Sequence, residues 1–174
     1  MPTSIIDVLD SAVKIGIGAL ISGIATYSVT RLRYRQDAQQ NINTRRREII
    51  EKAAENLETF NEFSHECSHS IFGVKKGITK PAELHNAAKG LSKGIGYITK
   101  SVANMQLLRE SKVVKELNEY KETAIHFCNF VNNCGAKDPS RWDIKDYNAL
   151  VDLLTEKKNM VQEELSKSYL DIKA

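Results

Sequence analysis

Proline and cysteine are both scarce in this chain of 174 residues. Three prolines leave long proline-free stretches, and because proline breaks helix interiors, those stretches favour α-helices. The three cysteines, Cys67, Cys128 and Cys134, are an odd set without disulfide-like spacing, which argues against a disulfide scaffold and for a reducing compartment. We expect them to be small buried hydrophobic residues.

Strand patterns and catalytic patterns are also missing from the sequence. No alternating segment of useful length predicts a β-strand. No Ser/His/Asp order and no pair of carboxylates in a shared apolar setting is found, so the sequence predicts neither an enzyme nor a cofactor. Hydrophobic residues make up 41% of the chain and charged residues 27%, a composition typical of a packed domain.

One uncharged run, residues 15–30, lies near the N-terminus between Lys14 and Arg31. As a helix it would span roughly 24 Å, and its flanks extend it towards the ~30 Å hydrocarbon layer of a bilayer. A signal peptide is disfavoured because acidic residues precede the run and basic residues follow it. A buried core helix is the other alternative. We expect a single transmembrane helix over residues 11–32.

Arginines determine the expected orientation of that helix. Six of them lie after the run, within residues 31–47, so the positive-inside rule places the N-terminus outside and the rest in the cytoplasm. The expected domains are residues 1–36, an anchor with the start of a basic stalk, and residues 37–174, a cytosolic helical domain. We expect a single-pass protein of the bacterial inner membrane, with membrane lipid as a partner.

Small residues recur every four positions along the run, at Gly18, Ser22 and Thr26, with Ala19 and Gly23 beside them. Such rows let helix backbones approach closely, which predicts self-association of the helix. The alternative is an anchor that is merely rich in glycine.

Four later segments show the three-and-four spacing of amphipathic helices. They are expected over about 44–72, from Pro81 to about 105, over about 111–135, and from Pro139 or Asp143 onward. Gly73 is expected to cap the C-terminus of the first helix. Thr79 is a candidate N-cap of the second helix, with Pro81 in its first turn. Short loops between such helices predict an all-α fold with a bundle of about four helices. The expected core positions of the first and third helices are Ile50, Ala53, Leu57, Phe60, Ser64, Cys67, Ile71, Val113, Leu117, Tyr120, Ala124, Phe127, Val131 and Cys134.

Residues 65–69 match the H-E-x-x-H pattern of zinc proteases, with His65 and His69 on one helical face. That face points away from the apolar seam, and no third ligand is evident downstream. We therefore predict no metal site; a ligand or subunit contact and a solvated face are the alternatives.

Unpaired positive charge is the stronger signal. Residues 75–109 contain seven basic residues and one acidic residue. Lys89, Lys93 and Lys100 fall on one face of the predicted helix with Tyr97 beside them, which favours an anionic partner such as a nucleotide, a nucleic acid or a lipid headgroup. The alternative is a surface kept for solubility.

Three glycines occur in the same helix, and their spacing matches neither the dinucleotide fingerprint nor the Walker motif. Helix packing is slightly favoured over a ligand as the reason for them. Arg141 and Trp142 form a second candidate site, because arginine can hold a phosphate and an aromatic ring can stack on a base. Trp142 could equally cap the bundle core.

In its architecture of size, apolar segment, basic stalk and helical domain, the chain resembles the CRISPR-associated membrane effectors of type III systems. The resemblance rests on no diagnostic motif. It implies a domain that binds cyclic tetra-adenylate and an assembly that disturbs the membrane, with a symmetric tetramer matching the ligand and with no long nucleic acid as partner.

Three functional hypotheses follow. The first is a non-enzymatic, ligand-gated membrane effector that binds a nucleotide second messenger. The second is a membrane-tethered interaction subunit of the phage-exclusion or immunity type. The third is a membrane-bound zinc hydrolase, which rests on residues 65–69 alone.

Overall fold

The computed structural model describes residues 5–135 and 142–172, and in that part of the chain it contains four α-helices and no strand. The helices are α1 (Ile5–Lys75), α2 (Pro81–Leu107), α3 (Ser111–Gly135) and α4 (Ile144–Leu170). The all-α prediction of a four-helix bundle is confirmed. The chain divides into two compact units at residues 44 and 45.

The second unit is an up-and-down bundle of α2, α3, α4 and the part of α1 after residue 44. Phe60 of α1 meets Tyr120 of α3 edge to face at 5.7 Å, in the middle of the core. The Ser101 hydroxyl of α2 donates to the Ala53 carbonyl of α1 at 3.2 Å. Every predicted core position of α1 and α3 is buried, because the seams carry apolar or small residues at helical spacing.

Helix ends differ in detail from the predictions. Gly73 lies inside α1, and Gly77 adopts the left-handed conformation (φ 69°) that reverses the chain. The prediction of Gly73 as the cap is therefore wrong. A Cβ at Gly73 would collide with the side chain of Thr79, so glycine is required there by close packing. Thr79 does not cap α2, whose N-cap is Lys80, and Pro81 takes the first helical position as predicted.

The start of α4 confirms one of its two predicted alternatives. Asp143 caps the helix and accepts hydrogen bonds from the backbone N–H groups of Lys145 and Asp146, at 2.8 and 3.3 Å. Pro139 lies outside the described residues.

Two arginines near residue 45 make contacts at one end of the bundle, with the residue before α3 and with a residue after α4. Arg46 pairs with Glu110, which precedes α3, at 2.8 Å. Arg47 donates to the Ile172 carbonyl at 3.1 Å, and its guanidinium lies 5.8 Å from the ring centroid of Tyr169. These arginines were read from sequence as charges that set membrane orientation, whereas the structure shows them in contacts that close the bundle.

The first unit consists of the α1 residues before 45. Its apolar side chains are well exposed, from 52% for Val29 to 72% for Tyr34. Among the described residues, no helix contains an apolar stretch of the length and hydropathy that a bilayer crossing needs. The prediction of a single-pass inner-membrane protein, with its N-terminus outside and a cytoplasmic domain, is therefore wrong. The physical reason is the composition of residues 15–30, where three glycines, two serines and two threonines dilute a run bounded by Lys14 and Arg31.

Candidate ligand-binding face

The lysine row consists of Lys89, Lys93 and Lys100 on α2. All three side chains are exposed, and at 100° per residue they lie within one narrow arc opposite the buried side of the helix. At ~1.5 Å rise per residue the row is roughly 16 Å long. In the described part of the chain, no carboxylate lies within 4.0 Å of any of these ammonium groups. The row is therefore a stretch of uncompensated positive charge.

Tyr97 lies beside the row and is half-buried. Its ring centroid is 6.4 Å from that of Phe63 on α1, and the Lys100 ammonium lies 5.2 Å from the centroid of the Tyr97 ring. A cation at that distance is attracted by the negative face of the ring. Tyr97 thus holds Lys100 at the surface and is itself held by Phe63.

The three glycines of α2 separate into two kinds. A Cβ at Gly94 would lie 2.9 Å from Cδ2 of Phe60, and one at Gly90 would lie 3.1 Å from Cδ1 of Phe63. These two glycines let α1 and α2 approach, which is the packing explanation that the sequence favoured. A Cβ at Gly96 would meet nothing within 4 Å, so Gly96 leaves open space beside the lysine row.

Of the second site predicted from sequence, the structure describes Trp142 alone. Trp142 is only 6% exposed and belongs to the hydrophobic core, the alternative in which it caps the bundle. Its ring is thus not presented at the surface for stacking. Arg141 lies outside the described residues.

The H-E-x-x-H residues of α1 occupy an open groove beside α2. His65, Glu66 and His69 are exposed, as the helical spacing predicts, and Glu83 and Asn86 of α2 form the opposite wall. Within the ranges 5–135 and 142–172, no group of three or more His, Cys, Asp or Glu side chains is arranged to hold a metal ion. The arrangement provides hydrogen-bonding groups facing solvent.

The cysteines are core residues, as predicted. All three are buried, and burial raises the pKa of the Cys67 thiol to about 12. The pKa of Cys128 is also raised by burial, although a contact of 3.7 Å with the Ser92 hydroxyl acts in the opposite direction. Because the thiolate is the reactive form, burial disfavours reaction of these two thiols in the folded bundle.

Comparison with known protein families, with curated proteins and with solved structures gives no match for this chain. The chemistry of the exposed groups must therefore support any functional conclusion by itself.

Proposed function

We propose that the bundle is a non-enzymatic binding module for a phosphate-rich ligand, and that the lysine row of α2 is its contact surface. The observation that carries the proposal is the row itself: three exposed ammonium groups on one face with no carboxylate near them in the described chain. Their mutual repulsion is relieved when a polyanion binds, and charge-assisted hydrogen bonds replace hydration.

The local packing supports the same face. Lys100 is held over the Tyr97 ring, which reduces the side-chain freedom that binding would otherwise remove. Gly96 leaves room for a ligand to reach the helix between Lys93 and Lys100. Nearby Gly90 and Gly94 pack α2 against α1, which keeps the face on a rigid element.

The proposed ligand class is a cyclic oligoadenylate, with cyclic tetra-adenylate as the first candidate. The resemblance to type III CRISPR effectors suggests this ligand, and a ring of phosphates suits lysine rows repeated around a symmetric homo-oligomer. A tetramer matches a ring of four phosphates.

The test is calorimetric titration of the full chain with cyclic tetra-adenylate. Lys93→Glu removes one contact and adds repulsion, and a hydrogen bond to a charged group contributes ~1.5–3 kcal/mol, so we expect binding to weaken more than about tenfold. Affinity should also fall as salt rises, since phosphate contacts release counterions. The melting temperature of the free protein should not fall, because Lys93 is exposed.

Lys145→Glu is the matched control. Lys145 is exposed on α4, which packs against α1 and α3, so the same charge reversal there should leave binding unchanged. Equal losses of affinity in both variants would show that binding depends on the net charge of the protein and not on the lysine row. Absence of heat with wild-type protein, for every ring size, would exclude the nucleotide ligand.

A second candidate function, a protein-interaction subunit, is favoured by a different observation. Apolar side chains of α1 such as Ile17, Ile21 and Ile24 are 54–63% exposed, and Cβ atoms built at Gly16, Gly18 and Gly23 would meet nothing within 4 Å. We infer that a second copy of the chain covers this segment, since small residues allow close backbone approach. Sedimentation of the full chain as a concentration-independent monomer would contradict this inference.

A further inference from the structure

A small polar cavity lies between α1, α3 and α4, away from the lysine row, and it opens to solvent beside the exposed residues His65, Thr155 and Asn159. It has a volume of about 200 Å³, and α1 contributes Asn61 and Ser64, α3 contributes Tyr120, and α4 contributes Lys158 and Asn159. Apolar groups of α4 form part of the wall. Drug-sized ligands and nucleotides need roughly 300–1,000 Å³, so this cavity suits a smaller molecule.

Two largely buried residues line this cavity with hydroxyl groups that have no protein partner. Tyr120 is 1% exposed and Ser64 is 8% exposed, and neither hydroxyl has a hydrogen-bond partner among residues 5–135 and 142–172. Among the described residues, the polar side-chain atoms that are both sealed from solvent and without a partner are Arg47 Nε and Glu116 Oε2. The hydroxyls of Tyr120 and Ser64 are not among them, so each retains accessible surface, and that surface lies in the cavity. Both hydroxyls are therefore free to hydrogen-bond water or a ligand that enters the cavity.

Lys158 gives the cavity its charge. Its side chain is 19% exposed, and its Nζ lies 3.4 Å from Glu58 Oε1, well beyond the ~2.7–2.9 Å of a strong charge-assisted hydrogen bond. That same carboxylate oxygen already accepts from Gln162 Nε2 at 2.9 Å. No carboxylate lines the cavity. A lysine whose side chain is largely buried and whose ammonium is loosely paired can bind an incoming anion.

We propose that this cavity binds a small oxyanion, a carboxylate or a phosphate monoester on a short hydroxylated carbon chain. Lys158 holds the charged group, and the Tyr120 and Ser64 hydroxyls and the amides of Asn61 and Asn159 bond the ligand's oxygens. The site is independent of the lysine row and too small for a nucleotide.

The test is the melting temperature of the full chain with glycerol 3-phosphate, with malate, and with glycerol as the uncharged control. We expect at least one of the two anions to raise it in a concentration-dependent way, and glycerol to leave it unchanged. Lys158→Gln should weaken binding about tenfold or more, whereas Lys145→Gln, a lysine outside the cavity on the same helix, should not. A response to the phosphate alone or to malate alone identifies the charged group.

Tyr120→Phe separates ligand binding from folding. The variant keeps the ring that packs on Phe60 and removes only the hydroxyl. Without ligand it should melt at or above the wild-type temperature, since no protein bond is lost, while anion binding weakens severalfold. The proposal is overturned if neither anion stabilises the wild type, or if Lys158→Gln and Lys145→Gln respond alike. Lys93→Glu should retain the small-anion response, which keeps this test separate from that of the lysine row.

Discussion

The two units use apolar and small residues in opposite ways. In the bundle, side chains such as Phe60 are fully buried, and Gly94 lies in contact with that ring. In the segment before residue 45, Ile21 is 63% exposed and Gly18 has open space around it. The difference lies in what the chain itself supplies, because the bundle has four complementary seams and the earlier segment is a single stretch of helix.

This contrast separates two meanings of the same sequence signal. An apolar seam whose partners lie in the same chain predicts a core, and the bundle confirms it. An apolar stretch with no such partner predicts only that something covers it. From the sequence we expected a bilayer to cover this stretch, but residues 15–30 do not have the length and hydropathy that a bilayer crossing requires.

The largest expected effect is the removal of a central core side chain. Phe60→Ala deletes a ring that is 0% exposed and packs on Tyr120, so it should lower the free energy of unfolding by ~3–5 kcal/mol. Ile21→Ala, at a position that is exposed within the single chain, should change the free energy of unfolding of the bundle by less than ~0.5 kcal/mol. Urea unfolding followed by circular dichroism measures both. Similar losses from the two variants would erase the contrast between the units.

A smaller effect is expected from alanine at the glycines of α2. Gly94→Ala places a methyl group 2.9 Å from Phe60, and the overpacking should exceed the gain in helix propensity, a net loss of about 1–2 kcal/mol. Gly96→Ala meets nothing and should stabilise by ~0.5–1 kcal/mol. Thermal unfolding of the pair measures the difference, and the same sign for both would contradict the assigned packing. If Gly96→Ala also abolishes oligoadenylate binding, Gly96 provides room for the ligand.

Helical periodicity was enough to predict the bundle and the exposure of the lysine row. Both depend only on which residues share a face of one helix, as the burial of Leu57 and the exposure of Lys93 illustrate. Trp142 could not be assigned in the same way, since a residue outside a helix has no repeating pattern. The structure assigns it to the core.

Contacts between helices could not be predicted from the sequence. Tyr120 was expected in the core, but only the fold brings its hydroxyl to the cavity that Lys158, 38 positions later, also lines. Arg46 and Glu110 are likewise 64 positions apart, and no local pattern marks them as partners. Such pairs depend on how the helices are arranged, which periodicity within each helix does not specify.

The smallest expected effect comes from deleting the whole first unit. A chain that begins at Arg45 keeps the compact unit Arg45–Lys173, with the pair of Arg46 and Glu110 and the bond from Arg47 to the Ile172 carbonyl. Its thermal unfolding should therefore match that of the full chain. A chain that begins at residue 48 loses both arginines and should be less stable by about 1 kcal/mol, since the Arg46–Glu110 pair is partly exposed and Ser168 also donates to Glu110. Circular dichroism melts of the three chains give the comparison. A loss of several kcal/mol in the chain that begins at Arg45 would show that the bundle depends on residues before 45, and the two units would then have to be treated as one.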